Sequence, residues 1–225
     1  MAVKNLSVVI PAYNEGQNIG WVIQNAKKYT RNIIVIDDGS QDETFKIALK
    51  NGAKVYHHLF NRGLGGALST GIKAALSDKA EIIVTLDADG QHDPKEIPKL
   101  IKPIVEGKAD VVIGSRFLVR QSMPLFRKMG NPFFNLVTFL LFGVWSTDSQ
   151  SGLRAFNRKA AENLETFAGG MEVSSEIIKE IKSHKLRLKE VPIKAIYTAY
   201  SLSKGQGLST GLRTLMKLLI LKLTK

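Results

Sequence analysis

The sequence predicts an α/β fold with a mostly parallel central sheet flanked by helices. Short runs rich in Val and Ile recur along the chain, helical stretches alternate with them, and the runs are continuous instead of alternating with polar residues. A continuous apolar run is typical of a strand that is covered on both faces, as in a parallel sheet. With 225 residues, 44% of them apolar, the chain can bury a sizeable core, which excludes global disorder.

The first half of the chain alternates strands and helices. Strands are predicted at 7–10, 33–36, 54–57, 82–86 and 111–113, and helices at 18–29, 42–50, 66–76 and 94–106. Pro94 suits a helix start, because its fixed φ matches the first helical position. Right-handed crossovers between parallel strands would complete this part of the fold.

The pattern changes after Gly114. Residues 117–131 combine basic side chains with a proline and a glycine, which predicts a mobile basic loop. Residues 132–145 are almost entirely apolar but too few to span a bilayer, so they are either a core helix or a membrane-surface element. A further helix over 173–183 and a strand over 186–193 are expected to follow.

The C-terminal residues 208–225 are predicted to form an amphipathic helix appended to a single domain over 1–207. Leu and Met side chains recur on one face at helical spacing, and Arg and Lys occupy much of the remaining arc. The pattern fits a helix packed on the domain, and it equally fits an in-plane membrane anchor whose basic residues meet anionic headgroups.

The charge and the cysteine count limit the classes of protein. There are 32 basic and 20 acidic residues, a net charge of +12, which predicts attraction to a polyanion such as nucleic acid, anionic lipid or a phosphorylated substrate. Nucleic acid is disfavoured because no helix-turn-helix, zinc or RNP-like pattern is present. The absence of cysteine excludes disulfides and thiolate zinc sites and fits a reducing compartment. No signal peptide or spanning segment is recognised, so a cytoplasmic location is expected.

Carboxylates cluster where two predicted strands end. Asp38 follows one strand, and Asp87 and Asp89 follow another, at the sheet edge where open parallel sheets bind ligands. On an extended strand Asp87 and Asp89 would project to one side, and a turn at Gly90 would bring Gln91 back toward them. Such oxygen ligands suit Mg²⁺ or Mn²⁺ with a substrate diphosphate. Asp-x-Asp alone is often only a turn or cap, but its position after a buried strand favours the metal.

The segment after the first strand offers a second group of candidates. Tyr13 can stack on a base, and Glu15 can accept a hydrogen bond from a ribose or base. The alternative is a strand-to-helix turn that Asn14 or Glu15 caps.

Six segments, taken in order, carry a family resemblance. They are Val8–Glu15, Val35–Asp42, Asn61–Gly65, Leu86–His92, Ile113–Phe117 and Asp148–Phe156. Together they resemble family 2 glycosyltransferases, and within them the dolichol-phosphate mannose synthase and polyprenyl-phosphate glycosyltransferase group. The resemblance covers nearly the whole chain. It implies a GT-A fold, a nucleotide-sugar donor and a divalent metal, Mg²⁺ or Mn²⁺.

The resemblance also implies residue roles. The metal ligands would be Asp87, Asp89 and Gln91. The nucleotide would contact Pro11, Tyr13, Asn14, Glu15, Ile36, Asp38, Ala88 and Lys204. The acceptor phosphate would contact Arg116, Arg127 and Ser151, and the catalytic residues would be Asp89, Arg116, Asp148 and Arg154. Relatives often carry an arginine where this chain has Thr198, so Lys204 would have to take over the contact with the diphosphate.

The implied reaction moves a hexose, mannose from GDP-mannose before glucose from UDP-glucose, onto dolichyl or polyprenyl phosphate. A phosphate oxygen is already anionic and needs no base, while the metal stabilises the departing nucleoside diphosphate. In-line attack would invert the anomeric centre and give a β-linked product. The enzyme would work on the cytoplasmic face of a membrane, with room for a membrane-spanning partner protein.

Two alternatives stay open at this point. A glycan hydroxyl as acceptor would need a base, and Asp148 is then the candidate. Asp148 and Arg154 would alternatively form only a structural ion pair.

Overall fold

The structure, a computed structural model, describes residues 5–121, 123, 125–164, 172–198 and 216. Within these residues seven strands form one sheet: β1 (Leu6–Ala12), β2 (Asn32–Asp37), β3 (Lys54–His57), β4 (Ile82–Thr85), β5 (Val111–Ser115), β6 (Arg154–Asn157) and β7 (Leu188–Pro192). Their order across the sheet is β3-β2-β1-β4-β6-β5-β7.

The sheet is parallel except for β6, which lies antiparallel between β4 and β5. The predicted mostly parallel α/β architecture is therefore confirmed, and β6 is a strand that the sequence pattern missed. Its four residues, Arg-Ala-Phe-Asn, lack the Val and Ile run that reveals the other central strands.

The described helices cover both faces of the sheet. They are α1 (Ile19–Ala26), α2 (Thr44–Lys50), α3 (Gly63–Ser77), α4 (Ile97–Val105), α5 (Leu125–Phe142), α6 (Arg158–Glu162) and α7 (Val173–Ser183), with a 3-10 turn at Pro94–Glu96 before α4. Val8 and Ile10 of β1 belong to the core beneath α1 and α4, and Val9 belongs to the core beneath α3 and α7. Alternate side chains thus enter different cores, which explains the continuous apolar runs.

Helix α5 differs from the sequence prediction. Residues 125–131 were expected in a mobile loop, but they form the first turns of α5, and Pro132 lies inside the helix. Proline removes one backbone donor, yet tertiary contacts hold the helix together: Thr138 Oγ1 lies 2.9 Å from Ser175 Oγ of α7. The helix ends at Phe142, followed by Gly143 with a φ of +72°.

No helix in the described part of the chain is long and apolar enough to cross a membrane. The predicted C-terminal helix over 208–225 lies outside the described residues, except for Met216, which is helical and exposed. The division at residue 207 therefore stays a prediction.

Candidate active site

The predicted site residues meet at one edge of the sheet. Asp38 follows β2, Asp87 and Asp89 follow β4, and Arg116 follows β5. Arg154 opens β6, and because β6 runs antiparallel, its first residue lies beside the last residues of its neighbours: Arg154 pairs with Thr85 and Ile113. The reversed strand is what brings a second arginine to the edge where the carboxylates lie.

Arg116 and Asp148 form a buried bidentate pair. Arg116 Nε donates to Asp148 Oδ2 and Arg116 Nη2 donates to Asp148 Oδ1, both at 2.7 Å, and the Arg116 backbone N–H donates to Oδ2 at 3.0 Å. Burial alone would lower the pKa of Arg116, but the Asp148 carboxylate raises it above its ordinary value. In place of the suggested ion pair with Arg154, Asp148 forms this pair with Arg116, and each of its oxygens accepts a hydrogen bond from the guanidinium.

Gln91 connects this pair to the carboxylates. Its Oε1 accepts from Arg116 Nη1 at 3.2 Å, and its backbone N–H donates to Asp89 Oδ1 at 2.8 Å. The turn at Gly90, with a φ of +74°, allows this return as expected. In the structure the Gln91 amide oxygen therefore bonds an arginine, and its role as a metal ligand stays a prediction.

The Asp87 carboxylate lies against Gly152 and near three side chains that can carry a positive charge, His92, Arg116 and Arg154. Strand β4 ends at Thr85, so Asp87 lies just beyond the strand and Asp89 lies in the turn that follows. Their predicted projection to one side is therefore not set by strand pairing. His92 Nδ1 is 3.2 Å from Asp87 Oδ2, close but not aligned as a hydrogen bond. Burial would raise the pKa of Asp87, but the neighbouring His92 and the charges of Arg116 and Arg154 hold the pKa below its ordinary value. Asp87 is therefore ionised at neutral pH.

Gly152 makes room for that carboxylate. A Cβ added at Gly152 would coincide with the carboxylate of Asp87. We expect Gly152→Ala to push Asp87 aside and reduce the sugar transfer that the family resemblance implies by roughly 100-fold, because a small displacement of a group in an active site has effects of this size. Gly130→Ala is the control, since a Cβ there meets nothing within 4 Å. Equal rates in the two variants would contradict the prediction; thermal melting checks that both fold.

Arg154 is a buried cation with incomplete pairing. Its Nη2 donates to the Ser149 carbonyl oxygen at 2.8 Å, and its Nε has no hydrogen-bond partner among the described residues. Burial, assisted by the charge of Arg116, lowers the pKa of Arg154 to about 10, although Asp87 and Asp148 oppose the shift. A bound anion would replace the solvation and the hydrogen bonds to water that burial removes from this guanidinium.

Further buried side-chain atoms also lack hydrogen-bond partners within the described ranges. They include Gln91 Nε2, His92 Nε2 and Ser151 Oγ. Native proteins rarely leave such groups unpaired. Because these atoms are mainly donors, the site is suited to an anionic ligand.

The residues predicted to contact the nucleotide differ widely in their exposure. Tyr13 is 43% exposed, Asn14 has a φ of +54°, and Glu15 is buried where its backbone N–H donates to Thr44 Oγ1 at 2.8 Å. Pro11 is half-buried, whereas Ile36 and Ala88 are buried in the core, so nucleotide contacts from those two would have to come through the backbone.

The carboxylate of Asp38 is already hydrogen-bonded to other groups of the protein. Its carboxylate accepts from the Arg62 and Gly63 backbone N–H groups at 2.9 and 2.8 Å, at the start of α3, and lies 2.6 Å from His58 Nδ1. The structure thus gives Asp38 an anchoring role, and its contact with a nucleotide stays a prediction. Lys204 lies outside the described residues, and for Arg127 only the helical backbone is described.

Sequence reasoning missed the residues that hold Asp148 in place. Residues 146–151, here called the acceptor loop, are bonded on one side by Asn135 of α5, which accepts from Ser149 N at 2.9 Å and donates to the Thr147 carbonyl at 2.6 Å. Glu190 of β7 bonds the other side. An asparagine inside an apolar segment was the available signal for the first, and nothing in the sequence indicated the second.

The carboxylates at this sheet edge fit a divalent metal only if substrate phosphates and water complete its coordination. No group of three or more His, Asp or Glu side chains among the described residues is placed to hold a metal ion by itself. Asp87 and Asp89 provide two carboxylates, a number typical of Mg²⁺ sites that are completed by substrate phosphates and water.

Comparison with known proteins assigns the class. The family model described as "Glycosyl transferase family 2" matches residues 7–165, so the chain belongs to that family and the resemblance of the six segments is confirmed. The UDP-N-acetylglucosamine–dolichyl-phosphate N-acetylglucosaminyltransferase of Methanococcus voltae is 42% identical over 248 residues, covering 100% of this chain and 99% of that protein. The dolichol-phosphate mannosyltransferase of Pyrococcus furiosus is 32% identical, covering 90% of this chain and 59% of that protein.

A solved structure supports the same fold. Glucosyl-3-phosphoglycerate synthase from Mycobacterium tuberculosis, crystallised with Mn²⁺, UDP and glucosyl-3-phosphoglycerate, superposes with a TM-score of 0.73 at 22% identity, covering 97% of this chain and 79% of that one. The predicted GT-A fold is confirmed, and the chain is a family 2 glycosyltransferase.

Proposed function

We propose that this glycosyltransferase moves a sugar from a nucleotide diphosphate onto a polyprenyl or dolichyl phosphate. The observation that carries the proposal is the buried pair of arginines, Arg116 and Arg154, with unpaired donors beside them and two carboxylates at the same sheet edge. Cations next to a carboxylate pair suit two phosphate groups, one that attacks and one that leaves. The names of the Methanococcus and Pyrococcus relatives support the lipid phosphate as acceptor.

The state of Asp148 favours a phosphate acceptor over a glycan hydroxyl. A hydroxyl needs a base, but both oxygens of Asp148 accept hydrogen bonds from Arg116 and its side chain is fully buried. A phosphate oxygen attacks without losing a proton to the protein. Arg116, kept in position by Asp148, would hold that phosphate together with Arg154 and Ser151.

Asp87 and Asp89 would hold the divalent metal, Mg²⁺ or Mn²⁺, with the donor diphosphate. When bound, the metal supplies Lewis-acid stabilisation of the departing nucleoside diphosphate. The lowered pKa of Asp87 keeps that carboxylate ionised for this purpose. Attack from the face opposite the leaving group inverts the anomeric centre.

UDP-N-acetylglucosamine is the donor that we place first. It is the donor in the name of the Methanococcus voltae relative, which matches the whole chain at 42% identity, against 32% for the Pyrococcus mannosyltransferase. GDP-mannose and UDP-glucose, which the sequence motifs suggested, become the comparison donors.

A donor screen tests the proposal. The purified chain would be mixed with Mn²⁺, dolichyl phosphate in detergent and each of the three labelled donors, and label would be followed into the lipid phase. We expect transfer from UDP-N-acetylglucosamine in excess of the other two. Label in the lipid phase from GDP-mannose alone would restore the mannose assignment, and no labelled lipid from any donor would count against the lipid acceptor.

Helix α5 supports a membrane location for the reaction. Its inward side is polar, with Asn135 and Thr138 buried, while Phe133 (51% exposed), Leu136 (48%) and Leu140 (66%) face outward. This is the reverse of a helix at an ordinary protein surface. Because Asn135 holds the acceptor loop, a bilayer against the outer side of α5 would lie next to the proposed acceptor site. The basic net charge of +12 suits an anionic membrane surface.

Replacing Phe133, Leu136 and Leu140 together by glutamine should therefore release the protein from anionic liposomes, lowering the bound fraction about tenfold or more because apolar burial drives interfacial binding. Flotation measures binding. Leu49→Gln on α2, at a residue 47% exposed, is the matched control. Transfer to a short water-soluble isoprenyl phosphate should survive in the triple variant. If α5 binds a second copy instead, the triple variant would change sedimentation equilibrium and leave flotation unaltered.

A further inference from the structure

Glu190, which is none of the predicted site residues, lies at the centre of a hydrogen-bond cluster that leads to Asp148. It belongs to β7, where it is paired in register with Ile113 of β5, three residues before Arg116. Its Oε1 accepts from Ser146 Oγ at 2.8 Å and Thr147 N at 2.9 Å. Its Oε2 accepts from Thr147 Oγ1 at 3.0 Å. One carboxylate therefore holds the start of the acceptor loop.

The cluster continues to the arginine. Ser146 Oγ accepts from the Asp148 backbone N–H at 3.2 Å, and Thr147 Oγ1 lies 2.7 Å from Ser115 Oγ at the end of β5. The Asp148 carboxylate in turn accepts hydrogen bonds from the backbone N–H and from two guanidinium nitrogens of Arg116. Both ends of this series of hydrogen bonds are attached to the β5–β7 strand pair. The position of Arg116 therefore depends on where the acceptor loop is held relative to these two strands.

We propose that Glu190 is a positioning residue that sets the orientation of Arg116 through the acceptor loop. The Thr147 backbone N–H donates to both oxygens of Glu190, at 2.9 Å to Oε1 and 3.1 Å to Oε2. Unlike the neighbouring hydroxyls, a backbone N–H cannot also accept, so both positions require an acceptor. In Glu190→Gln the amide nitrogen would face a donor, so the loop would have to move. The consequence for acceptor binding rests on the proposed function; the consequence for Arg116 does not.

Asp110 provides a matched control. Its carboxylate accepts from Arg187 N, Nε and Nη2 and from Asn157 Nδ2, all at 2.9 Å, so it is bonded as heavily as Glu190. It directly precedes β5, at the edge of the sheet opposite the site. Asp110→Asn should reduce the stability of the fold without changing the position of Arg116.

Two measurements on the full chain test the role of Glu190. In arginine-labelled protein, hydrogen exchange of the Arg116 Nε–H, assigned by its loss in Arg116→Lys, should accelerate roughly tenfold or more in Glu190→Gln and stay unchanged in Asp110→Asn. In transfer assays with dolichyl phosphate, Glu190→Gln should raise the acceptor KM about 10- to 100-fold and leave the donor KM unaltered. Glu190→Asp should recover part of the loss.

The outcomes separate the two proposals. If the wild type transfers no sugar to dolichyl phosphate, the proposed function fails, and the exchange measurement alone decides the role of Glu190. If Arg116 exchange is the same in the wild type and Glu190→Gln, the positioning role is overturned. Equal rises of the donor and acceptor KM would also overturn it, because they indicate general destabilisation.

Discussion

Replacing Asp89 by asparagine is expected to reduce sugar transfer by about 10³-fold while the chain stays folded, because charge stabilisation of the leaving group is worth that much. The amide oxygen can still accept the Gln91 backbone N–H, which the Asp89 carboxylate accepts at 2.8 Å, so the turn is retained. What is lost is one of the two carboxylates that would hold the metal. A neutral amide is a much weaker ligand for Mg²⁺ or Mn²⁺ than a carboxylate.

The measurement pairs transfer rates with Mn²⁺ binding by electron paramagnetic resonance in the presence of UDP. Asp93→Asn is the matched control: its carboxylate accepts from Lys95 N at 3.0 Å in the same two-residue geometry, farther along the same segment. We expect Asp93→Asn to behave as the wild type. Unchanged Mn²⁺ affinity in Asp89→Asn would show that the metal is held elsewhere.

Replacing Arg116 by alanine is expected to abolish transfer and to cost about 3–5 kcal/mol of stability, because it leaves the buried Asp148 charge without its partner. Asp148 is fully buried, and Arg116 provides three of its hydrogen bonds. The double variant Arg116→Ala with Asp148→Ala should be less destabilised than the sum of the two single variants, since neither charge is then stranded. Urea unfolding measures these differences.

The pair of Arg187 with Asp110 is the comparison, since its geometry is also bidentate but the Arg187 side chain is 57% exposed. Arg187→Ala should lower stability less, because the Asp110 carboxylate keeps its hydrogen bonds from Asn157 Nδ2 and the backbone N–H of residue 187. Additive losses at Arg116 and Asp148 would contradict a coupled pair. Asp148→Asn would not be a clean test for a catalytic base, since it would release Arg116 as well.

Much of the fold and part of the site could be predicted from local sequence. Continuous Val and Ile runs revealed the parallel strands, since each strand is covered on both faces. The position of Asp87 and Asp89 after one of these strands was enough to place a candidate site at the sheet edge where Arg116 and Arg154 also lie. Strand β6 and the first turns of α5 were missed, because their formation depends on neighbours distant in sequence and their local pattern is weak or contains proline.

The partnerships of the site could not be predicted. Arg154 was one alternative partner for Asp148, which bonds Arg116 instead. Nothing in the local sequence indicated that the Asp38 carboxylate also anchors the start of α3. Which carboxylate meets which cation is decided by packing, because several choices satisfy the same composition. Gly152 shows this most plainly: its lack of a side chain matters only because Asp87, far away in sequence, occupies that space.

The sequence by itself determined the α/β class, the family and the sheet edge that carries the carboxylates, because periodicity and strand-end motifs are local properties of the chain. Only the tertiary structure decided that β6 runs backwards and delivers Arg154 to that edge, that Arg116 is locked by Asp148, and that α5 turns its apolar side outward. These features arise from contacts between residues distant in sequence, whose burial and charge pairing exist only once the chain has packed.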